Sequence, residues 1–326
     1  MIARRALPAA LAVAFVCAAR PATALEYPLR PITIVVPASA GGMGETILRG
    51  LNERMRVSLG QPVIIENVGG ASGTIAVGRV ARAVPDGYTL VLGNWSTQVA
   101  NGIVYKLRYD LVRDFDPITL IAKSPLLIVA RKSMPADDLK QLIAWLRANP
   151  DKASQGTNGP GSIMHMAGIL FQKETATRFS FVPYRGAAAS MNDLLAGQID
   201  FAIGLPSEIV PQFRAGTIKA FAVTARNRLA AAPDVPTVIE AGLPGLDISA
   251  WNGLFAPKGT PNLIIAKLNA AIIEALAEPR VRTLLAEFGQ ELPSRDEQTP
   301  EALGSFQKAE VEKWWPIIKA TGITAE

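Results

Sequence analysis

The chain has 326 residues, is 49% hydrophobic and 19% charged, and carries a formal net charge of +5. That balance fits a globular protein with real cores, and the length allows two ordinary domains. No low-complexity tract, fixed-period repeat or Lys/Arg cluster is present, so neither a repeat architecture nor a nucleic-acid partner is indicated.

Residues 1–24 read as a cleaved signal peptide. Arg4 and Arg5 form the positive start, residues 6–19 an apolar stretch too short to span a bilayer, and Ala22-Thr23-Ala24 a small-x-small cleavage site. A retained anchor is the other reading. The flanks of Arg4-Arg5 fit the twin-arginine route poorly, and Val16 before Cys17 is bulky for a lipobox. Removing Arg4, Arg5 and Arg20 from the 33 basic residues leaves 30 against 28 acidic ones, so the net charge falls to +2. The one cysteine also leaves, so the mature chain forms no disulfide in an oxidising compartment.

Strands and helices then alternate. A buried strand is expected over 31–36, from Ile32, Ile34, Val35 and Val36, and a helix over 46–59, with Ile47, Leu48, Leu51, Met55 and Leu59 on one face and Gly60 as its stop. Further strands are expected at 63–65 and 88–92, around a short helix at 75–83. This β-α-β-α-β order predicts parallel strands covered by helices, with ligands beyond the carboxyl ends of the strands. The loops leaving those ends, 37–45, 67–74 and 93–98, are all rich in Gly, Ser, Thr or Asn.

The same grammar recurs. A strand at 126–130 and a helix at 136–148 precede the Gly-rich loop 155–162 and a helix at 163–174. A strand at 179–183, a helix through Leu195, and strands at 197–204 and 218–223 follow. Segments 117–126 and 245–256 read as connections between two α/β lobes. Helices at 263–277 and 300–321 are expected to pack back on the first lobe. The expected division is 1–24 signal peptide, 25–125 first lobe, 126–249 second lobe, and 250–326 return to the first.

His165 is the only histidine, so a Cys/His metal cluster is impossible in the mature chain, and no D-x-D-x-D loop appears. A Ser-His-Asp triad would need His165, but its neighbourhood is "GPGSIMH", not a Gly-x-Ser-x-Gly elbow. His165 reads either as a structural residue in the first turn of a helix or as a ligand donor at a cleft. "SAGG" and "GPGS" fit neither a Walker A loop nor, for the first, G-x-G-x-x-G. They remain helix starts whose free N–H groups can take an oxyanion, with glycines that let it approach.

"YPLRPITIVVPASAGGMGETILRGL", "LGQPVIIENVGGASGTIAVGRVARAVPDGYTLVLG", "YDLVRDFDPITLIAKSPLLIVAR", "VPYRGAAASMNDLLAGQID" and "LAAAPDVPTVIEAGLPGLDISAWNGLFAPKGTP" occur in order over nearly the whole mature chain. Together they resemble the Bug / TctC-like extracytoplasmic solute-binding receptors, which serve tripartite tricarboxylate transporters. The resemblance implies an α/β, two-lobed, type II periplasmic-binding-protein fold. It implies a cleft that closes on a small solute, usually a carboxylate held by backbone N–H groups and waters. It implies no catalysis, cofactor or metal, and a monomer that works with transporter membrane subunits; an orphan sensing receptor without a transport partner, and a secreted enzyme using the same cleft, are the alternative readings.

Carried over by position, the first-lobe site is Ala38, Ser39, Ala40, Gly41 and Gly42, then Ser72 and Thr74, then Asn94, Trp95, Ser96 and Thr97. The second lobe supplies Asn158, Gly159, Ser162 and His165, then Arg185, Gly186 and Ala187. Arg185 reads either as a cation near the ligand or as a solvated charge at a helix entry. Departures from the family pattern are Glu45 for a frequent Asp, Ala38 for a bulkier residue, Gly204 for a frequent Asp, and the large Trp95. Trp95 is expected either to stack on a flat ligand or to be a core or rim aromatic. Glu45 and Glu66 are the obvious acids at the cleft loops. Glu45 should either turn back onto its helix start or mark a neutral or cationic ligand.

Overall fold

The computed structural model describes residues 26–184 and 186–324. The signal-peptide reading and Arg185 therefore lie outside the described residues. In chain order the first elements are β1 (Ile32–Val36), α1 (Met43–Leu59), β2 (Val63–Asn67), α2 (Thr74–Ala81), β3 (Thr89–Asn94), α3 (Asn101–Val104) and β4 (Phe115–Pro125). There follow β5 (Leu127–Arg131), α4 (Leu139–Ala148), β6 (Ser154–Thr157), α5 (Ile163–Thr175), β7 (Ser180–Pro183), α6 (Ala187–Leu195), β8 (Phe201–Gly204), α7 (Pro206–Arg214) and β9 (Ile218–Val223). The chain closes with β10 (Ser249–Pro257), α8 (Asn262–Ala277), α9 (Pro279–Glu287) and α10 (Pro300–Ala320).

Two five-stranded sheets result, ordered β2-β1-β3-β10-β4 and β7-β6-β8-β5-β9. The expected parallel pairing holds for β1 with β2 and β3, and for β6 with β7 and β8. It fails for the rest: β10 runs antiparallel to β3 and β4, and β5 antiparallel to β8 and β9. The segments read as connections are largely strands of the first sheet. β4 carries the chain out and β10 brings it back, so the two lie side by side in opposite directions and need no helical crossover.

α1 begins three residues before the expected start, because Gly42 turns extended and Met43, Gly44 and Glu45 form the first turn. Its expected apolar face is buried, and α8 packs beside it under the same side of the first sheet. A second apolar cluster includes Val35 and Trp95 of the first half, Leu126 and Ile128 at the crossing, Phe171 and Phe201 of the second sheet, and Trp314 of α10. One core thus runs through both lobes.

Thr224, fully buried after β9, ties the two crossings together. Its Oγ1 accepts the Leu126 N–H at 2.8 Å and donates to the Ile248 carbonyl at 2.6 Å, while its own N–H donates to the Leu126 carbonyl at 2.8 Å. No helix among the described residues is long and apolar enough to cross a membrane.

Candidate ligand-binding cleft

The loops leaving β1, β2 and β3 meet at Gly73. Its φ is +85°, and a Cβ there would lie 2.8 Å from Pro37 Cβ and 2.8 Å from Thr97 Cγ2. Only glycine accepts both that backbone and that crowding, so a single residue lets all three loops touch. Ala38, Ser39, Ala40 and Gly41 are exposed and Gly42 is half-buried at the start of α1. The first-turn N–H groups of a helix have no intrahelical acceptor, and at the start of α1 these are the amides of Gly42, Met43 and Gly44.

Glu45 resolves as the first of its two expectations. Its buried carboxylate turns back, accepting the Gly41 N–H at 2.7 Å on Oε2 and Arg49 Nε at 2.7 Å on Oε1. The Gly41 bond first, then Arg49, hold its pKa below the usual carboxylate range. Glu66 is closed as well, paired with both Arg79 terminal nitrogens at 2.6 and 2.5 Å.

On the second loop, Ala71 (φ 44°) and Ser72 (φ 50°) are consecutive left-handed residues, each strained by roughly 1–2 kcal/mol. Tyr105 and Asn101 hold them: the Ser72 and Tyr105 hydroxyls are 2.7 Å apart, and Asn101 Nδ2 donates to the Ser72 carbonyl at 2.9 Å. Thr74 opens α2 and its carbonyl accepts the Tyr109 hydroxyl at 3.3 Å. On the third loop Asn94 and Thr97 cap each other, each side chain accepting the other's N–H at 3.0 Å. Thr97 is buried and Ser96 half-buried.

The second lobe presents the ends of β6, β7 and β8. Asn158 is exposed and Gly159 half-buried. Ser162 caps α5, accepting the His165 N–H at 3.3 Å and donating to the Gly159 carbonyl at 2.8 Å. His165 Nδ1 accepts the Gly161 N–H at 3.3 Å, and its ring stands edge-on to Phe181, centroids 4.5 Å apart. Burial lowers its pKa, so the neutral ring braces the loop with its proton on Nε2. Gly186 opens α6, and Ala187 lines a small cavity with Asn158, Ser190, Gly204 and Glu208. The lobes approach at Gly161, where a Cβ would lie 3.5 Å from Val104 Cγ2.

Over residues 47–323 the sequence matches the TctC family, described as the tripartite tricarboxylate transporter family receptor. The chain belongs to that family. Among solved TctC-type structures, MatC from Rhodopseudomonas palustris with bound malate is 38% identical, with a TM-score of 0.76 covering 90% of this chain and 100% of that one. A second R. palustris protein, solved with adipate, is 32% identical, with a TM-score of 0.78 over 92% of this chain and 100% of that one. The periplasmic binding protein BugD is 35% identical, with a TM-score of 0.75 over 92% of this chain and 100% of that one. The two-lobed receptor fold follows from these likenesses.

Within this TctC-family cleft several expectations need correction. Trp95 is 1% exposed and stands edge-on to Trp314, centroids 5.3 Å apart and planes at 89°; it is a core aromatic, and the stacking reading fails in this structure. Gly41 keeps its place on the loop but its amide is taken by Glu45. Thr97 gives its hydroxyl to the Asn94 cap.

Three residues escaped sequence reasoning. Met43 and Gly44 belong to the helix start because α1 begins earlier than its apolar face suggests. Glu208, in the first turn of α7, is the acid of the second wall: its Oε2 lies 3.8 Å from where a Cβ on Gly204 would stand. Burial pushes its pKa up to about 7, with only the Leu205 N–H acting against it. The departure at Gly204 was the available signal, since a bare backbone there leaves room for a neighbouring side chain.

A larger groove of about 870 Å³ lies beside the crossings and contains none of the expected site residues. Two ion pairs lie within it, Lys123 with Glu297 and Arg226 with Asp247, while Arg228 pairs with Glu240 outside it. Glu310 borders it, and burial raises its pKa. The buried indole N–H groups of Trp95, Trp251 and Trp314 fall short of hydrogen-bond geometry, yet all face that carboxylate and favour its ionised form.

Proposed function

We propose that this chain is a periplasmic solute receptor that captures a small carboxylate or related polar metabolite between its lobes and passes it to tripartite tricarboxylate-type membrane subunits. The observation that carries this reading is the meeting of three strand-end loops at Gly73, the first of which leads into the helix start at Gly42–Gly44, whose first-turn amides suit an oxyanion. The malate and adipate bound to the two R. palustris relatives support a carboxylate here too. A cleft that closes gains contacts only in its closed state, which is how a ligand shifts the equilibrium between the two.

The proposed first lobe comprises 25–125 and 250–326, and the second 126–249. Its ligand-facing set is Ala38 to Gly42, Ser72, Thr74, Asn94 and Ser96 on one side. Asn158, Gly159, Ser162, His165, Gly186 and Ala187 form the other, with Arg185 retained on sequence grounds. A cleaved signal peptide at residues 1–24 and monomeric action complete the proposal.

A thermal-shift screen of mono-, di- and aromatic carboxylates, amino acids and their amides tests it. A binder present well above its dissociation constant should raise Tm by several degrees. No shift with any compound, together with hydrolysis of one of them, would overturn the receptor reading.

A further inference from the structure

The two walls of the cleft differ in how their acids are satisfied. On the first wall Glu45 and Glu66 are both closed, by Gly41 and Arg49 and by Arg79. On the second wall Glu208 is half-buried: burial dominates its environment, the Leu205 N–H alone acts against it, and no cation among the described residues offsets it. Among the described residues, no Lys or Arg lines the cavity it shares with Thr157, Asn158, Ala187 and Ser190. Gly204 exposes bare backbone beside it, and the nearest atom to a Cβ there would be Ile209 Cδ1 at 3.1 Å. A bulkier residue at 204 would fill the space the Glu208 carboxylate faces.

Resting on the receptor reading above, we propose that Glu208 reads the far end of the ligand and selects a carboxylate whose opposite end carries an N–H donor, an amine or an amide, over a bare dicarboxylate. The first wall offers donors to one carboxylate, and the second offers an acceptor to what lies across from it. An amine or amide at that end donates to Glu208 and adds a donor to a half-buried carboxylate that otherwise has only the Leu205 N–H. A second carboxylate there meets Glu208 at close range in a site poor in water, where like charges repel strongly. Thr157, Asn158 and Ser190 add only uncharged groups and cannot neutralise it.

The test is isothermal titration at pH 8 with chain-length-matched sets: succinate, succinamate and 4-aminobutyrate, then glutarate, glutaramate and 5-aminopentanoate. The full-length mature protein and Glu208→Gln are compared. For the wild type the amine- or amide-ended member of a set should bind roughly tenfold to a hundredfold tighter than its diacid, the span of a charge-assisted hydrogen bond. Glu208→Gln should cut that preference at least tenfold by strengthening diacid binding and weakening amine binding.

Wild-type protein that binds a diacid as tightly as its amine and amide analogues overturns the inference and leaves the receptor reading standing. An unchanged preference in a Glu208→Gln protein of normal Tm also overturns it. Absence of binding across both sets overturns this inference, and absence across the wider screen together with hydrolysis of one of its compounds removes the receptor reading as well. Because the wild-type ranking is decisive by itself, a variant that fails to fold does not shield the proposal.

Discussion

The first wall of the cleft is assembled from backbone and the second from side chains. On the first, three loops are pressed together through Gly73, both nearby acids are closed, and the groups left over are helix-start amides. On the second, Ser162 and His165 brace one loop while Glu208 faces the cavity beside it with no cationic partner among the described residues. A backbone wall reads charge and shape. A wall with one half-buried acid reads what stands at the ligand's other end.

The sharpest way to break the first wall is Gly73→Val. A β-branched residue at φ +85° would place Cβ 2.8 Å from both Pro37 and Thr97, a loss of about 3–5 kcal/mol. Urea unfolding should show that loss, and titration should show ligand binding abolished; near-wild-type stability would mean the loops do not meet as described. Next is the tie between the walls. Thr224→Val leaves the buried Leu126 N–H and Ile248 carbonyl without their Oγ1 partner, about 3 kcal/mol by denaturant midpoint at unchanged m-value.

The two acids should then respond to pH with opposite signs. Glu208 is raised from 4.5 to about 7 in the folded chain, so the folded state binds the extra proton and stability falls as pH rises through that window. Glu208→Gln removes this slope and should raise stability above pH 7 by at most about 3 kcal/mol, seen as a higher Tm than wild type at pH 8 and little difference at pH 4.5. Glu45 is lowered, so its contribution is present above its unfolded value and is lost as pH falls through the folded one. Glu45→Gln should therefore lower Tm at pH 7, with the deficit closing toward pH 3. Slopes of the same sign for the two variants would erase the contrast between the walls. The smallest effect is expected of Trp95→Phe, which trims a core ring packed on Trp314: about 1–2 kcal/mol of stability, with ligand affinity within threefold of wild type by titration.

Much of this arrangement is legible in the chain. Apolar runs bounded by Gly and Pro mark β1 to β3, and the composition of the loops after them marks the first wall. The crossings are not legible: β4 and β10 carry the same apolar pattern as any strand, and only the pairing of β10 with both β3 and β4 reveals that they belong to the first sheet. Trp95 opens the short helical segment that leads into α3, too short for periodicity to give its direction, so its burial against Trp314, far along the chain, leaves no local trace. Glu208 depends on where α7 starts relative to Gly204, a placement that the position of Pro206 suggests and only the fold fixes. The cluster around Glu310 is hidden for the same reason, since its three tryptophans come from β10, α10 and the loop after β3.

A crystal structure of the protein with the tightest binder from the matched sets tests the two-wall cleft most directly. The expected result is a ligand carboxylate within hydrogen-bond distance of the Gly42, Met43 and Gly44 amides, with its amine or amide end on Glu208. A carboxylate seated against Glu208 instead, or a ligand lodged in the groove beside Lys123 and Arg226, would contradict it.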